Sequence, residues 1–395
     1  MAKQFDVVVI GGGLAGASCA LSIAKTNPSL TIAVVEANQV SGDYHPSFDD
    51  RSIALAQQSV EYLQQLNLFE PSAPYTAAIK KVSVSDRGHF GKAHIHCDEF
   101  AKPSLGYVVE VNPFGRALYQ RLTQASITLY CPDSVNSIKQ GLNNNELSLQ
   151  SGEKLNAKLL VIADGAQSPT RKLLGLRFNT QPYEQDAIIA NVEVAGGHNN
   201  HAYERFTEHG PMALLPMSNN RYSLVWCMAK PQVELHTALN ESDFLNTLQR
   251  AFGYRAGQFT KVGTRTSYPL VYGQAESLTA HRTVVIGNAA HAIHPIAGQG
   301  FNLGLRDVQV LSHLIATSKN ELGGYAFTRE YSLKRSSDIK TVMTLTDALV
   351  RLFSNSSRVL AFGRSIGLFS MDLFPALKAP LAKQLMGQVK QGTRL

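Results

Sequence analysis

A chain of 395 residues, 44% hydrophobic and 17% charged, is longer than one hydrophobic core usually serves, so two domains are expected and disordered or fibrous classes are excluded. The net charge of +7 arises from 37 basic residues spread along the whole chain, which excludes a nucleic-acid footprint but leaves room for attraction to anionic surfaces. Cys19, Cys97, Cys131 and Cys227 lack metal-type spacing, and neither a signal peptide nor a run of the ~20 apolar residues of a membrane span is visible, so the expectation is a cytoplasmic protein, soluble or peripheral.

Phe5 to Ile10 is a β-rich apolar run of the kind buried in parallel sheets. It leads into Gly11-Gly-Gly13-Leu14-Ala15-Gly16, which matches G-x-G-x-x-G, then a helix-compatible segment through Lys25 and a second apolar strand, Leu30 to Val35. Glu36 closes that strand, twenty residues after Gly16. Gly11 allows the tight turn, Gly13 lets the backbone approach a pyrophosphate, and Gly16 lets helix and strand pack closely. The helix N-terminus favours phosphate, and Glu36 can accept both ribose hydroxyls while repelling a 2′-phosphate. The ligand is therefore FAD or NAD, not NADP.

Ser47 to Ala56 reads as the entry to an amphipathic helix through about Leu66, capped by Asp49 or Asp50. Arg51 is either a surface cation there or a group lying along the cofactor. His94 and His96 read as surface-strand residues, since no carboxylate or cysteine pair is in register with them. Leu105 to Val111 is a strand, and Pro113 suits the first turn of a helix through about Thr123. A meander follows at Ile127–Cys131, Ser134–Lys139 and Glu146–Gln150, then a buried strand, Leu155 to Ile162, ending at Asp164-Gly165. From about Phe178 to Tyr272 alternating strands prevail, interrupted by one helix over about Leu235 to Ala251, as suits a second, substrate-facing domain. There Phe206, Met212, Leu214, Leu215 and Trp226 are either pocket lining or core.

Arg282 to Asp307 reads as a buried strand, a turn at Gly287-Asn288, a proline- and glycine-rich loop, and a helix from about Phe301. Gly298 and Gly300 flank Gln299, so main-chain N–H groups can approach a flat or anionic ligand. His291 and His294 are either proton-handling groups or loop histidines satisfied by backbone. Helices continue to about Leu352. In the last stretch, 359–395, Leu373, Leu377, Leu381, Leu385 and Val389 recur every four residues, with lysines and no acid after Asp372. That stretch is either a membrane-surface or partner helix or a helix packed on its own domain, and Pro375 and Pro380 shorten it.

The Gly11–Gly16 loop with Glu36, Asp164-Gly165, and Gly287 to Asp307 stand in an order that resembles the class A flavoprotein aromatic hydroxylases. Asp50-Arg51-Ser-Ile-Ala-Leu55, Leu105 to Glu110, Gly210 to Pro216 and His294 to Asp307 are similar to the ubiquinone-biosynthesis hydroxylases, in particular the branch acting on 2-polyprenyl-6-methoxyphenol. Asn288 stands where the wider family has Asp, and its amide oxygen can still accept from a ribityl hydroxyl. The resemblance implies an α/β fold: a Rossmann-like FAD-binding domain of para-hydroxybenzoate hydroxylase type, interleaved with a mostly antiparallel β-sheet substrate domain and ending in a helical C-terminus. On that reading 1–75, 100–177 and 273–354 form the FAD-binding domain, 76–99 and 178–272 the substrate domain, and 355–395 the C-terminal segment.

It further implies FAD as cofactor, NAD(P)H as a transient co-substrate without a domain of its own, and O2, with one oxygen placed on an electron-rich polyprenyl phenol. Such enzymes leave the hard chemistry to the cofactor and use the protein for placement and water exclusion. Gly11, Gly13, Leu14, Ala15, Gly16, Glu36, Arg51, Gly287, Asn288, Phe301 and Asn302 are expected along the cofactor, and Asp164-Gly165 near its pyrophosphate and the nicotinamide path. Pro295, Gly298, Gln299 and Gly300 are expected to border the isoalloxazine. A ubiquinone-biosynthesis protein complex and peripheral membrane contact through 359–395 are expected partners. The competing readings are another FAD oxidoreductase of this fold and a redox-silent, FAD-bound scaffold subunit.

Overall fold

The computed structural model describes residues 2–39, 51–294 and 298–353, and scattered positions between 365 and 387. The chain opens with β1 (Lys3–Ile10), α1 (Leu14–Thr26) and β2 (Ile32–Val35), then β3 (Ser52–Ala56), α2 (Gln57–Gln65) and β4 (Thr76–Ile79). A hairpin, β5 (Lys81–Asp86) and β6 (Lys92–His96), precedes β7 (Gly106–Glu110), α3 (Val111–Gln124) and β8 (Ile127–Tyr130). Next come β9 (Val135–Gln140), β10 (Asn145–Leu149), β11 (Lys154–Ile162) and α4 (Pro169–Leu173). The strand-rich middle holds β12 (Phe178–Val194), β13 (His201–Thr207), β14 (Gly210–Pro216), β15 (Arg221–Ala229), α5 (Lys230–Ala238), α6 (Glu241–Phe252), β16 (Phe259–Val262) and β17 (Thr266–Ala275). Last are β18 (Thr279–Ala280), β19 (Thr283–Val285), β20 (His291–Ala292), α7 (Gln299–Thr317) and α8 (Tyr325–Phe353).

Three sheets organise these elements. The first runs β18-β19-β11-β1-β2-β8, with β9 and β10 on its flank. β1 lies parallel between β11 and β2, so Val7, Val8 and Val9 are buried on both faces, which explains the unbroken apolar run. The second sheet runs β20-β17-β12-β15-β14-β13-β5-β6, with β16 on β12. It is antiparallel except where β13 meets β5. The third is a small sheet, β3-β7-β4.

That small sheet is the partition between two cores. Leu55 and Val109 face the main core with α1, α3 and α7, whereas Ala54 and Val108 on the other face pack with Ile79, Ile95, Leu105 and Met217. The partition also corrects the helix expected to be entered over Ser47 to Ala56, whose cap candidates Asp49 and Asp50 lie outside the described residues. Residues 52–56 are a strand whose partner is β7, from Ser52↔Glu110 to Ala56↔Gly106, and the helix begins only at Gln57. The helix expected over 235–251 is likewise two, because Asn240 starts a new one by accepting from the Asp243 N–H at 2.9 Å.

Of the last stretch, Ala382 and Met386 are buried against the Ala54–Val108 face, and the Met386 carbonyl accepts from the Gln58 N–H at 3.0 Å. Lys378 Nζ lies 3.0 Å from Glu99, and His94 Nδ1 3.2 Å from Asp372. Leu373, Leu381, Leu385 and Val389 fall outside the described residues. Among the described residues no helix is long and apolar enough to cross a membrane.

The small sheet is tied to the large one by a buried ion pair, Glu110 of β7 with Arg221 of β15 at 2.8 Å, and Ser218 donates to the same carboxylate. Removing one partner of such a pair costs about 3–5 kcal/mol, whereas replacing both with apolar groups costs much less. Glu110→Ala should therefore lower the urea midpoint strongly, and Glu110→Leu combined with Arg221→Leu should recover a large part of the loss.

Candidate active site

The nucleotide loop is shaped by what cannot fit. A Cβ on Gly16 would fall 1.9 Å from the Gly11 carbonyl oxygen, so only glycine lets α1 pack against the loop. Gly11 has φ +99°, and a Cβ there would lie 2.6 Å from the carbonyl oxygen of Ala163, just past the end of β11. The Asp164-Gly165 motif is thereby pressed against the first glycine. Gly13, Gly165 and Gly300, by contrast, have nothing among the described residues within 4 Å of an added Cβ. They line open space. Glu36 is fixed over the loop, its carboxylate accepting from the Gly12 N–H at 2.5 Å and the Asn38 N–H at 2.7 Å.

The stretch from 287 onward joins this loop through a second glycine contact. Gly287 has φ +60°; a Cβ there would meet the Ala15 side chain at 3.1 Å, and a Cβ on Gly304 of α7 would lie 3.2 Å from the Gly287 Cα. Asn288 beside it is exposed between buried Gly287 and Ala289. Among the described residues neither α1 nor α7 has a side-chain cap or an acid in its first turn, so the positive ends of both helices suit an anion or an electron-rich ring.

Gly298, the residue before α7, has φ +60°, and a Cβ on it would strike Ala54 at 2.7 Å. Asn302 holds this corner: its amide nitrogen donates to the Ala54 and Gly298 carbonyls at 2.8 and 2.7 Å, and its oxygen accepts from the Ala56 N–H at 2.8 Å. Gln299 is buried, and Phe301 packs on the main core. Pro295 lies outside the described residues. The Asp164 carboxylate accepts from Ser168 Oγ and the Thr170 N–H, turning the chain into α4. Arg51 precedes β3 and is exposed, reaching across to β17 with its guanidinium 3.1 Å from the Tyr268 hydroxyl.

Three residues to which the sequence assigned no role hold these pieces together. Asp307, fully buried on α7, accepts from the Gly287 N–H at 2.9 Å, from His291 Nε2 at 2.8 Å and from Arg335 Nε of α8 at 2.7 Å. Burial works to raise its carboxyl, but the Arg335 guanidinium and His291 outweigh that and hold it below the usual carboxylate range. Arg171, buried behind the Asp164 motif, donates to the Ala289 carbonyl at 2.7 Å and stacks on Phe178. Besides closing the family-like stretch, Asp307 is marked by being an acid in the largely apolar segment Leu303-Gly-Leu-Arg-Asp-Val308; Arg335 and Arg171 carry no such signal.

The large sheet sorts its apolar residues by face. Met212, Leu214 and Trp226 share a core with Phe244, Leu248 and Phe252 of α6. Register places Phe206, Ala213, Leu215, Val225 and Cys227 on the opposite face, on which Leu215 packs against the Ala54–Val108 side of the small sheet. Tyr183 packs there with Ala187 and Cys227, and its ring meets that of His294 edge-on at 5.1 Å.

These features define the frame of a flavin-dependent monooxygenase. The chain belongs to the FAD binding domain family, which it matches over residues 4–346. It is similar to the ubiquinone hydroxylase UbiL of Rhodospirillum rubrum, with 34% identity covering 99% of this chain and 91% of that one. It is also similar to the 3-demethoxyubiquinol 3-hydroxylase of Escherichia coli, at 28% identity over 97% and 98%. Its fold matches that of p-nitrophenol 4-monooxygenase PnpA from Pseudomonas putida, with a TM-score of 0.79 and 18% identity over the full length of both chains. The open glycines, the two uncapped helix starts and the exposed Asn288 amide suit a dinucleotide with a flat ring.

Two substitutions at the loop separate packing from contact. Gly16→Ala should abolish flavin retention and lower Tm, whereas Gly13→Ala should leave the apoprotein's Tm nearly unchanged and weaken FAD alone, as read by flavin absorbance after gel filtration. Arg335→Met leaves Asp307 buried without its cation, at a cost of about 3–5 kcal/mol. Urea unfolding of that variant should show the loss directly.

Proposed function

We propose that this protein is an FAD-dependent, NAD(P)H-using hydroxylase of a polyprenyl phenol in ubiquinone biosynthesis, with 2-polyprenyl-6-methoxyphenol as the substrate. The observation that carries the reading is the row of apolar side chains Phe206, Ala213, Leu215, Val225 and Cys227 on the sheet face opposite the helix-packed core. A ring bearing a long hydrocarbon tail suits such a wall, since each buried methylene contributes about 0.8 kcal/mol. The names of the relatives, hydroxylases of ubiquinone and demethoxyubiquinol, support the same substrate class.

When bound, FAD supplies the redox chemistry, accepting a hydride from NAD(P)H and, with O2, furnishing the oxygen for the ring. The chain's own residues bind, orient and exclude water. The N–H groups at Gly11 to Gly16 and the start of α1 hold the pyrophosphate, and Glu36 accepts from the ribose. Asn288 would address the ribityl chain, and the backbone at Gly298 to Gly300 would border the flat ring and favour negative charge there. Asn302 keeps Gly298 in its left-handed turn, and Arg51 closes the gap toward β17. Residues 1–75, 100–177 and 273–354 form the cofactor-binding part, and 76–99 with 178–272 the substrate part. The basic stretch 359–395 brings the enzyme to a membrane surface, or to a ubiquinone-biosynthesis complex, where a lipid-soluble phenol resides.

The test is anaerobic and aerobic work on the purified yellow protein. NADH or NADPH should bleach the flavin, and in air 2-polyprenyl-6-methoxyphenol should gain one oxygen atom by mass spectrometry. A flavin that no nicotinamide bleaches, with or without phenol, would move the protein to a scaffold role; hydroxylation of an earlier or later quinone precursor only would move it to a sister step.

A further inference from the structure

The two histidines of the 287–294 stretch have opposite surroundings. His291 gives Nε2 to Asp307, within the network that holds Gly287. His294 is 1% exposed, and neither of its ring nitrogens has a hydrogen-bond partner among the described residues. A neutral imidazole carries one donor and one acceptor, so a buried ring with both unmet is suited to a ligand that brings a hydroxyl.

The wall around His294 is built for such a ligand. Tyr183 meets it edge-on, and Tyr272 of β17 stands behind Tyr183 at 6.4 Å. Tyr183 sits where β12 breaks register with β17, between Pro182 and Asp186, and the next residue, Glu184, has φ +56°. A bulge of this kind re-aims side chains beside functional sites, and strain in a non-glycine residue persists only where the surroundings impose it. Tyr183 then continues into Ala187, Cys227 and Leu270 on the same apolar face.

We propose that His294 is the residue that accepts the hydrogen bond of the substrate's phenolic hydroxyl and so fixes which ring carbon is presented for hydroxylation. The inference rests on the phenol-hydroxylase reading given above. Burial alone lowers the imidazole to about 4, so it stays neutral at ordinary pH. A phenol titrates near 10, so complete transfer of its proton to such a ring is disfavoured about a million-fold. His294 therefore shares the proton and does not take it. The O–H bond stays intact, and the polarised oxygen enriches the ring.

The holoenzyme is titrated with a short-chain 2-prenyl-6-methoxyphenol and with its O-methyl ether, following the flavin spectrum. Wild type should prefer the phenol by about tenfold or more. His294→Leu should abolish the preference, and His294→Asn, which keeps an acceptor, should retain part of it. If His294→Leu does not hold flavin, nitrogen-15 NMR of wild-type histidines replaces it, with the His294 signal identified by its loss in His294→Asn. That signal should move with the phenol and not with the ether. An undiminished preference in His294→Leu, or an unmoved signal, overturns the inference while leaving the hydroxylase reading intact. A wild type that binds and hydroxylates no phenol overturns both.

Discussion

The Asp307–Arg335 pair is the constraint on which the site depends. A carboxylate without exposure is tolerable only if its lone pairs are met, and three donors from three places meet them: a turn N–H, a histidine ring and a guanidinium. Each bond fixes one piece. Gly287 is drawn into the gap between Ala15 and Gly304, which sets the distance from the nucleotide loop to α7. His291 is held in the short strand that pairs with β17, at the edge of the large sheet. Arg335 brings α8 against α7 and shares Asp338 with Arg306. One buried charge thus joins the cofactor side, the large sheet and the terminal helices.

The small sheet plays the complementary part by keeping two apolar cores separate. Its alternation sends Leu55 and Val109 one way, Ala54 and Val108 the other. Asn302 then clasps Ala54 and Ala56 along the strand edge that β7 leaves unpaired. The same amide bonds Gly298, so the strand edge and the helix start are a single rigid corner. A corner of this kind is what allows loops to present chemistry with the precision of regular elements.

Much of this is legible in the sequence, and the division follows range. Gly11, Gly13, Gly16 and Glu36 lie within one βαβ unit, where spacing and residue type carry the geometry. Ser52 to Ala56 is not legible as a strand, because its reason for being one, β7, stands some fifty residues away. Met212 and Leu215 look equivalent because both faces of their strand are buried, so period-2 alternation of polarity is missing. Arg335 carries no sign of its partner at all: to a reader of local patterns it is one more cation on a long helix.

The spacing of these contacts along the chain has a consequence for the order in which the molecule can be made. The fingerprint for the nucleotide is complete when Glu36 has been synthesised, yet Gly287 has no seat until α7 follows, and α7 has no counter-charge for Asp307 until Arg335 has emerged. Domains generally fold as units during synthesis. Here the contacts that seat Gly287 beside the nucleotide loop are complete only when Arg335, more than four-fifths of the way along the chain, has been made.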